Sequence, residues 1–137
     1  PTTLQSVMNL VIVEDSDLVC AQLQRLIATL PGVHVMGTAT TEAAAVERIR
    51  LWDPDAVLLD LSLAEGNGLK VLAAIRAAGS RARVLVLTNH VDEALRKTCE
   101  SFGIAGFYDK SEEMYACLDH LNSLVSWFPE KRADHAS

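Results

Sequence analysis

The chain lacks most of the features that mark nucleic-acid-binding, membrane-inserted or secreted proteins. Its 137 residues include 12 Lys and Arg against 18 Asp and Glu, for a formal net charge of −6. This shortage of cations argues against a nucleic-acid-binding surface, which needs clustered basic side chains to displace counterions from phosphates. No apolar run approaches the roughly 18 residues of a membrane span, and the first residues lack the charged-then-apolar order of a signal peptide. We therefore expect a cytoplasmic protein that itself contacts neither nucleic acid nor a membrane.

Cysteine is scarce as well. Cys20, Cys99 and Cys117 are odd in number and show no CxxC or zinc-finger spacing, so neither a disulfide framework nor a structural zinc site is indicated. We interpret them as reduced, buried thiols. The histidines show no metal-ligand spacing either; His34 is predicted on an edge strand and His120 on a helix surface.

Five short apolar runs predict β-strands. Three of them are apolar at every position, as in strands covered on both faces of a parallel sheet, whereas the second alternates and predicts an edge strand. The predicted strands span residues 10–13, 33–36, 56–59 and 84–87, with a weaker one at 105–108.

Segments of helical periodicity follow these runs. The first begins after Ser16 or Asp17 as its N-cap and runs to Leu30, before a Pro-Gly stop; the last has Ser111 as its predicted N-cap. The other predicted helices span residues 41–51, 69–78 and 91–102, and the last spans 112–127.

The alternation of strands and helices predicts an α/β fold, with helices on both faces of an open parallel sheet and right-handed crossovers. The pattern is that of a flavodoxin-like (βα)5 doubly wound parallel sheet with strand order 2-1-3-4-5. We predict one domain over residues 1–128 and a polar, frayed tail over 129–137. In such sheets ligands bind beyond the carboxyl ends of the strands, where the strand order reverses. The residues after each strand are therefore the candidates for function.

Polar residues follow the predicted strands in turn. Glu14 and Asp15 follow the first strand, Asp60 the third, Thr88 the fourth and Lys110 the fifth. Asp15 and Asp60 are far apart in the chain, yet the order 2-1-3 makes their strands neighbours. We therefore predict that all five side chains converge on one rim of the sheet.

This set of side chains suits phosphoryl transfer. Three carboxylates so close together repel one another, and a hard divalent cation such as Mg2+ relieves that repulsion. A carboxylate beside such a cation can act as a nucleophile toward a phosphoryl group and become an aspartyl phosphate. Asp60, at the end of a buried strand, is the predicted nucleophile. Lys110 and Thr88 would contact phosphoryl oxygens and offset the charge of the transferred group.

Each residue also has a purely structural interpretation. The acidic residues 14–17 favour a helix N-terminus, and Asp60 is of a type common in turns. A single Thr88 or Lys110 is more often structural or solvent-facing than functional. These structural explanations are independent of one another. All of them would have to apply together to residues that follow successive strands in the right order. The functional interpretation of the set is therefore preferred.

Taken in order, these residues resemble the receiver domains of two-component response regulators. The resemblance covers about residues 8–128, and the matching positions are the pair Glu14-Asp15, then Asp60, Thr88 and Lys110. It implies that Asp60 accepts a phosphoryl group from a histidine kinase or a histidine phosphotransfer protein.

The same resemblance implies a metal site and a switch. The implied Mg2+ ligands are Glu14, through water, and Asp15, Asp60 and the backbone carbonyl of Ser62. No organic cofactor is implied. Phe107 matches the family's rotating switch aromatic, which would turn inward as Thr88 moves toward the phosphoryl group.

Residues 31–33 and 52–55 resemble the branch of the family that usually carries a C-terminal helix-turn-helix. The chain is therefore expected to be either a stand-alone regulator or the receiver part of a bacterial transcription regulator. The resemblance does not imply an enzyme acting on a separate substrate, since a receiver catalyses only its own phosphorylation and dephosphorylation. A homodimer on activation is expected by analogy with the family alone.

Three other hypotheses are weaker. A pseudo-receiver, acting as a constitutive interaction module with a vestigial site, is disfavoured by the intact Asp60, Thr88 and Lys110. A metal-dependent phosphohydrolase needs a second acid–base carboxylate close after the nucleophile, where Ser62 stands. A dinucleotide-binding loop over residues 66–71 would lack its third glycine and start several residues after its strand.

The sequence departs from the family pattern in the site loops. Glu14 replaces a common Asp, which lengthens the side chain but keeps the charge. Residues 64–66 stand where the family usually has Met-Pro-Gly nearby, so we expect a less rigid loop after the phosphoacceptor. Ser111 replaces a frequent proline, which makes a cis peptide bond there less expected. Ser62 and His90 occupy positions that influence the lifetime of the acyl phosphate in the family.

Overall fold

The strands of the described residues form two separate sheets. The structure, a computed structural model, describes residues 4–89, 91–128 and 130–132. In chain order the strands are β1 (Leu4–Ser6), β2 (Met8–Val13), β3 (Val33–Ala39), β4 (Ala56–Leu59), β5 (Arg83–Thr88), β6 (Gly106–Asp109) and β7 (Glu130–Arg132). Five of them pair in parallel in the order β3-β2-β4-β5-β6. This confirms the predicted flavodoxin-like order 2-1-3-4-5, which counts β2 as its first strand.

Side chains at the helix N-termini explain where four of the five α-helices in the described part of the chain begin. The helices are α1 (Asp17–Ile27), α2 (Glu42–Trp52), α3 (Gly68–Ala77), α4 (Glu93–Ser101) and α5 (Met114–Leu124). Ser16, Thr41, Asn67 and Asp92 each accept a hydrogen bond from a backbone N–H of the first turn. These N–H groups have no partner within the helix, so each cap stabilises its helix start. Among the described residues, no helix combines the length and apolarity needed to cross a bilayer.

The prediction of Ser111 as the N-cap of the last helix is wrong. The N-cap position of α5 is Glu113, which makes no side-chain capping bond. Ser111 instead donates from its backbone N–H and its hydroxyl to Asp109 Oδ1, at 3.0 and 2.9 Å. The α-helix ends at Leu124, and a 3-10 turn over Val125–Trp127 replaces the predicted last turn. All peptide bonds of the described residues are trans, including the bond before Ser111.

The apolar side chains of the parallel sheet divide between two layers of helices. Successive strand residues point to opposite faces of a sheet. Leu10 and Ile12 therefore pack with α1 and α5, whereas Val11 and Val13 pack with α2, α3 and α4. Helices cover both faces, which is why the central strands are apolar at nearly every position.

The edge strand β3 is partly covered by a tryptophan. Gly37 allows the Trp52 ring to lie against the backbone, since a Cβ there would overlap the indole. The sequence predicts that Trp52 and Trp127 are both packing residues near helix ends, but Trp127 is 67% exposed. The guanidinium of Arg83 lies 4.6 Å from the Trp127 ring centroid, so this ring makes a cation–π contact at the surface.

The smaller sheet joins the two ends of the described chain. β1 and β7 pair antiparallel over three residue pairs. The prediction of a frayed tail is therefore wrong for residues 130–132, because pairing with β1 supplies backbone hydrogen bonds that the polar sequence does not indicate. The rest of the predicted tail, residues 129 and 133–137, lies outside the described residues.

Two predictions about single side chains need correction. Cys99 and Cys117 are buried free thiols as predicted, and burial raises the pKa of Cys117 to about 12, but Cys20 is only partly buried. His120 is half-buried rather than on the helix surface, and its Nδ1 lies 2.6 Å from the hydroxyl oxygen of Tyr108.

Candidate functional site

The carboxyl ends of β2 and β4 carry the acidic side chains that are predicted to converge. The two strands are neighbours in the sheet, so the residues that follow them leave the sheet at the same edge. Glu14, Asp15 and Asp60 each offer a carboxylate oxygen, and the three oxygens lie within 4.8 Å of one another. Glu14 is 2% exposed and Asp60 4%, whereas Asp15 is exposed to solvent. The acidic cluster is thus buried on one side and open on the other.

Lys110 reaches this cluster from the end of β6. Its Nζ lies 2.7 Å from Glu14 Oε1 and 2.8 Å from Asp60 Oδ2. Its backbone N–H donates to the carbonyl oxygen of Thr88 at 2.8 Å, which holds the start of the β6–α5 loop against the end of β5. The lysine therefore bridges two carboxylates that come from different strands.

Backbone N–H groups orient the two buried carboxylates. Ser16 N donates to Glu14 Oε2 at 3.0 Å, and Ser62 N donates to Asp60 Oδ1 at 3.0 Å. Each carboxylate therefore has one oxygen on a backbone donor and the other on Lys110. This arrangement leaves little rotational freedom to either side chain.

Burial and charge shift the pKa values of the bridged groups. Burial raises the pKa of Glu14 above its usual value; hydrogen bonds from Lys110 and Ser16 oppose this effect, and the charge of Asp60 adds to it. For Lys110, burial acts to lower the pKa, but hydrogen bonds to Asp60 and Glu14 and their charges outweigh it, so its pKa is raised. Lys110 is therefore a cation throughout the neutral pH range.

The donor set fits a hard divalent cation. Three carboxylates meet at the cluster and one ammonium group lies among them, so ionised acids leave a surplus of negative charge. Small hard cations take oxygen ligands and commonly combine one or two carboxylates with waters and substrate oxygens. The acidic pocket can therefore bind a metal ion. The backbone carbonyl of Ser62, the remaining predicted ligand, stays a prediction.

The two predicted switch residues lie on β5 and β6, the two strands beyond β4 in the sheet. Thr88 ends β5 and is fully buried, and Phe107 in β6 is 6% exposed. The guanidinium of Arg96, on α4, lies 4.9 Å from the centroid of the Phe107 ring. Phe107 thus already occupies a buried position in this structure, and its rotation and the movement of Thr88 stay predictions.

Two glycines that follow Asp60 stand where the backbone lies close to neighbouring atoms or takes a conformation that favours glycine. A Cβ on Gly68 would overlap the carbonyl oxygen of Asp60, and the Gly68 N–H donates to Leu61 O at 2.9 Å. Gly66 has a φ of +84°, a conformation that favours glycine. These roles in turn geometry agree with the interpretation that residues 66–71 do not form a dinucleotide-binding loop.

Sequence reasoning missed two residues that contact the site region. Glu42 Oε1 accepts a hydrogen bond from the backbone N–H of Asn67 at 3.1 Å, and Arg96 covers Phe107. In the sequence both are polar residues on predicted helices, and nothing local indicates partners on distant elements. His90, predicted to influence phosphate lifetime, lies outside the described residues.

The fold and the site together define a doubly wound α/β domain with an acidic, lysine-bridged cluster at its strand-order reversal. The family model described as "Response regulator receiver domain" matches residues 10–122. The chain therefore belongs to the response regulator receiver domain family. Asp60, Thr88 and Lys110 are all present, so nothing here supports a pseudo-receiver with a vestigial site.

Individual relatives agree with this assignment. The response regulator UvrY of Escherichia coli (strain K12) is 27% identical over 119 residues, which are 87% of this chain and 55% of UvrY. The DNA-binding transcriptional activator EvgA of the same strain is 27% identical over 125 residues, which are 89% of this chain and 61% of EvgA. The chain thus spans little more than half the length of these curated relatives.

Solved structures show the same fold. The signal receiver domain of the response regulator NarL from Mycobacterium tuberculosis has a TM-score of 0.80 and 27% identity, covering 89% of this chain and 98% of that chain. A two-component response regulator of the LuxR family from Aurantimonas sp. SI85-9A1 has a TM-score of 0.81 and 26% identity, covering 90% of this chain and 89% of that one.

Proposed function

We propose that this receiver domain is a phosphorylation switch in which Asp60 is the phosphoacceptor. The observation that carries the proposal is the Lys110 bridge: one ammonium group contacts Asp60 Oδ2 at 2.8 Å and Glu14 Oε1 at 2.7 Å. The cation is fixed beside a buried carboxylate at the end of a central strand. It can therefore stabilise the negative charge that develops on a phosphoryl group during its transfer to this carboxylate.

The phosphodonor is a phosphohistidine of a histidine kinase or a histidine phosphotransfer protein. An Asp60 carboxylate oxygen attacks the phosphorus, a P–O bond forms, the P–N bond breaks and the electron pair returns to the donor imidazole. Lys110 and the Thr88 hydroxyl then contact two phosphoryl oxygens, so a cation and a hydrogen-bond donor offset the charge of the transferred group.

Mg2+ is the proposed cofactor of the acidic pocket. The residues that would hold it are Glu14, through water, Asp15, Asp60 and the carbonyl of Ser62. When bound, the ion supplies positive charge that neutralises the phosphoryl oxygens. The protein contributes the orientation of the carboxylates, through the bonds that Ser16 and Ser62 donate.

Phosphorylation of Asp60 is proposed to change the surface formed by α4, β6 and α5. Thr88 moves toward the phosphoryl group, and this movement favours the buried position of Phe107. A partner or a second copy of the chain reads the altered surface. Such a switch needs two states that the phosphoryl group distinguishes energetically.

The domain is proposed to act on itself rather than on a separate substrate. It catalyses its own phosphorylation and slow dephosphorylation, so phosphate uptake should not exceed one group per chain. Membership of the receiver family supports a cytoplasmic location, kinase or phosphotransfer partners and a homodimer on activation. The DNA-binding activity named for the relative EvgA supports transcription regulation as the output of the whole protein.

The phosphoacceptor assignment is tested with Asp60→Asn. Asn removes the nucleophilic carboxylate but keeps nearly the same shape, so we expect loss of phosphate uptake from acetyl phosphate and of beryllofluoride binding. Uptake is followed by intact-protein mass spectrometry in the presence of Mg2+. The matched control is Asp119→Asn, the same change at an exposed position on α5. Uptake by Asp60→Asn at the wild-type level would rule out Asp60 as the acceptor.

A further inference from the structure

The loop that follows Asp60 is attached to the start of α2. The carboxylate Oε1 of Glu42 accepts from the backbone N–H of Asn67 at 3.1 Å, and the backbone N–H of Glu42 donates to Glu65 O at 2.9 Å. Thr41, the N-cap of α2, also forms a parallel β-bridge with Glu65. One residue of α2 therefore makes both a side-chain and a backbone hydrogen bond to this loop.

The attachment depends on a close approach at Gly66. A Cβ at this glycine would overlap the Cβ and the carboxylate of Glu42. The φ of +84° at Gly66 is a conformation that side chains disfavour, so the loop reaches the Glu42 carboxylate only because glycine stands here. The contact is thus built into the loop rather than made by a freely extended surface side chain.

A continuous chain of contacts leads from Glu42 to Asp60. Asn67, held by Glu42, forms an antiparallel β-bridge with Ser62. Ser62 N then donates to Asp60 Oδ1 at 3.0 Å. Asn67 also caps α3, because its Oδ1 accepts from Lys70 N at 2.8 Å. The position of the Asp60 carboxylate is therefore coupled to α2 through two backbone segments.

We propose that Glu42 is a positioning residue for the phosphoacceptor, acting through Asn67 and Ser62 on the carboxylate of Asp60. This inference rests on the proposed function. The loop lacks a proline and is expected from its sequence to be less rigid, and the two hydrogen bonds of Glu42 restrain it instead. Loss of the carboxylate contact frees Asn67, loosens its bridge to Ser62 and lowers the fraction of molecules in which Asp60 is correctly oriented.

A simpler role for Glu42 is stabilisation of α2 alone. A carboxylate in the first turn of a helix interacts favourably with the helix dipole. Three substitutions separate the two roles. Glu42→Gln removes the charge but keeps an amide oxygen that can accept from Asn67 N. Glu42→Asp keeps the charge, but its side chain is one methylene shorter, which moves the oxygen away from Asn67 N. Glu42→Ala removes both the charge and the accepting oxygen.

The experiment measures Mg2+ affinity by isothermal titration calorimetry and the initial rate of phosphorylation by acetyl phosphate. Wild type, the three Glu42 variants and the control Glu47→Ala, an exposed position further along α2, are compared at a temperature at which thermal unfolding shows all of them folded. We expect Glu42→Ala and Glu42→Asp to weaken Mg2+ binding by about tenfold, the size of effect seen when a supporting residue of a metal ligand is lost. We expect Glu42→Gln and Glu47→Ala to behave like wild type.

The results separate this inference from the proposed function. Suppose that wild type takes up phosphate and that Glu42→Asp and Glu42→Ala match it in Mg2+ affinity and in phosphorylation rate. Glu42 is then not a positioning residue. If Mg2+ binding and phosphorylation are as weak in Glu42→Gln as in Glu42→Ala but match wild type in Glu42→Asp, the charge of Glu42 matters rather than its hydrogen bond, and the inference is wrong. If wild type itself binds no Mg2+ and takes up no phosphate, the proposed function fails and the inference fails with it. Glu42→Asp keeps the assay decisive if Glu42→Ala does not fold.

Discussion

At the scale of single residues, Lys110 connects the two buried acids of the site. It is the cation between two carboxylates that are almost fully buried, and its own side chain is only 10% exposed. Removing one partner of a buried charge pair leaves the other charge desolvated without compensation, which costs more than the pair itself contributes. The stability of the domain should therefore respond strongly to this one side chain.

We expect Lys110→Met to lower the free energy of unfolding by about 3 kcal/mol, because Glu14 and Asp60 then remain buried without a cation. Urea denaturation at pH 7 with a chelator present measures the change. Lys70→Met, at an exposed position of α3, should leave stability nearly unchanged. Adding Glu14→Gln to Lys110→Met should recover part of the loss; full additivity of the two changes would mean that the groups are not coupled.

A second residue-scale prediction concerns pH. Burial raises the folded-state pKa of Glu14 above its usual 4.5, so its stabilising contribution is complete below that pH and is lost as the pH rises through the folded-state pKa. Glu14→Gln does not titrate and keeps an oxygen for Lys110. The free energy of unfolding of this variant, relative to wild type, should therefore increase as the pH rises above 4.5.

Urea denaturation of both proteins with a chelator, at a series of pH values from acid to neutral, tests this expectation. Glu112→Gln, at an exposed position, is the control and should follow wild type across the series. A relative stability of Glu14→Gln that falls with rising pH would show that Glu14 is favoured as a carboxylate in the folded state, contrary to the prediction.

At the scale of secondary-structure elements, Arg76 joins α3 to α4. Its guanidinium donates to Phe102 O at 2.8 Å, Ser80 O at 3.0 Å and Gly103 O at 3.1 Å. Phe102 is the C-cap of α4 and Gly103 follows it, whereas Ser80 lies just past the end of α3. This side chain from α3 therefore binds carbonyls of the segments that follow both helices. Arg76 thus restrains the C-terminal end of α4, the helix whose Arg96 lies over the Phe107 ring.

Arg76→Lys should lower the free energy of unfolding by about 1–2 kcal/mol, since an ammonium group cannot reach three carbonyls with the fork geometry of a guanidinium. Hydrogen exchange should also become faster in the last turn of α4. Urea denaturation and amide exchange followed by mass spectrometry measure these effects. Arg50→Lys, exposed on α2, is the matched control; equal effects at both positions would show that the carbonyl contacts contribute nothing.

The helix starts show how far local sequence determines an element. Ser16, Thr41, Asn67 and Asp92 cap their helices through bonds to N–H groups two or three residues away, so the helix starts follow from neighbouring residues. Ser111 has the same chemistry, yet its hydroxyl binds Asp109 and α5 begins later. A residue of capping type therefore marks a helix start only when its side-chain oxygen accepts from an N–H group of the first turn, which the Ser111 hydroxyl does not do.

At the scale of the whole molecule, the acidic cluster and the ends of the described chain lie at opposite edges of the sheet. Glu14 and Asp60 follow the carboxyl ends of their strands, whereas β1 directly precedes β2 and pairs with β7. Gly32 lies close to the backbone of Ser6 and to Val125, so this ribbon is packed at the amino edge. The site and the ends of the described chain are thus separated by the length of the strands.

Mg2+ should stabilise the whole domain, because an ion that binds only the folded state shifts the unfolding equilibrium. At ten times its dissociation constant, a single bound ion adds about 1.4 kcal/mol to the free energy of unfolding. That corresponds to a rise in Tm of roughly 3–6 °C for a domain of this size.

Differential scanning calorimetry with Mg2+ and then with excess chelator tests this linkage. Asp15→Asn removes the exposed carboxylate of the cluster and should reduce the rise in Tm. Asp119→Asn should retain it in full. The same rise in Tm in wild type, Asp15→Asn and Asp119→Asn would indicate that the ion binds outside the acidic pocket.

The sequence by itself determined the order of the parallel strands and of the helices between them, the apolar central strands and the residues at the strand ends. Each of these depends on periodicity or on immediate neighbours, so Glu14, Asp60 and Lys110 can be selected from the sequence alone. Only the tertiary structure decided that one ammonium group bridges two of the acids, that Glu42 restrains the loop after Asp60 and that β1 pairs with β7. Those contacts join segments far apart in the chain, and their geometry exists only once the helices have packed on the sheet.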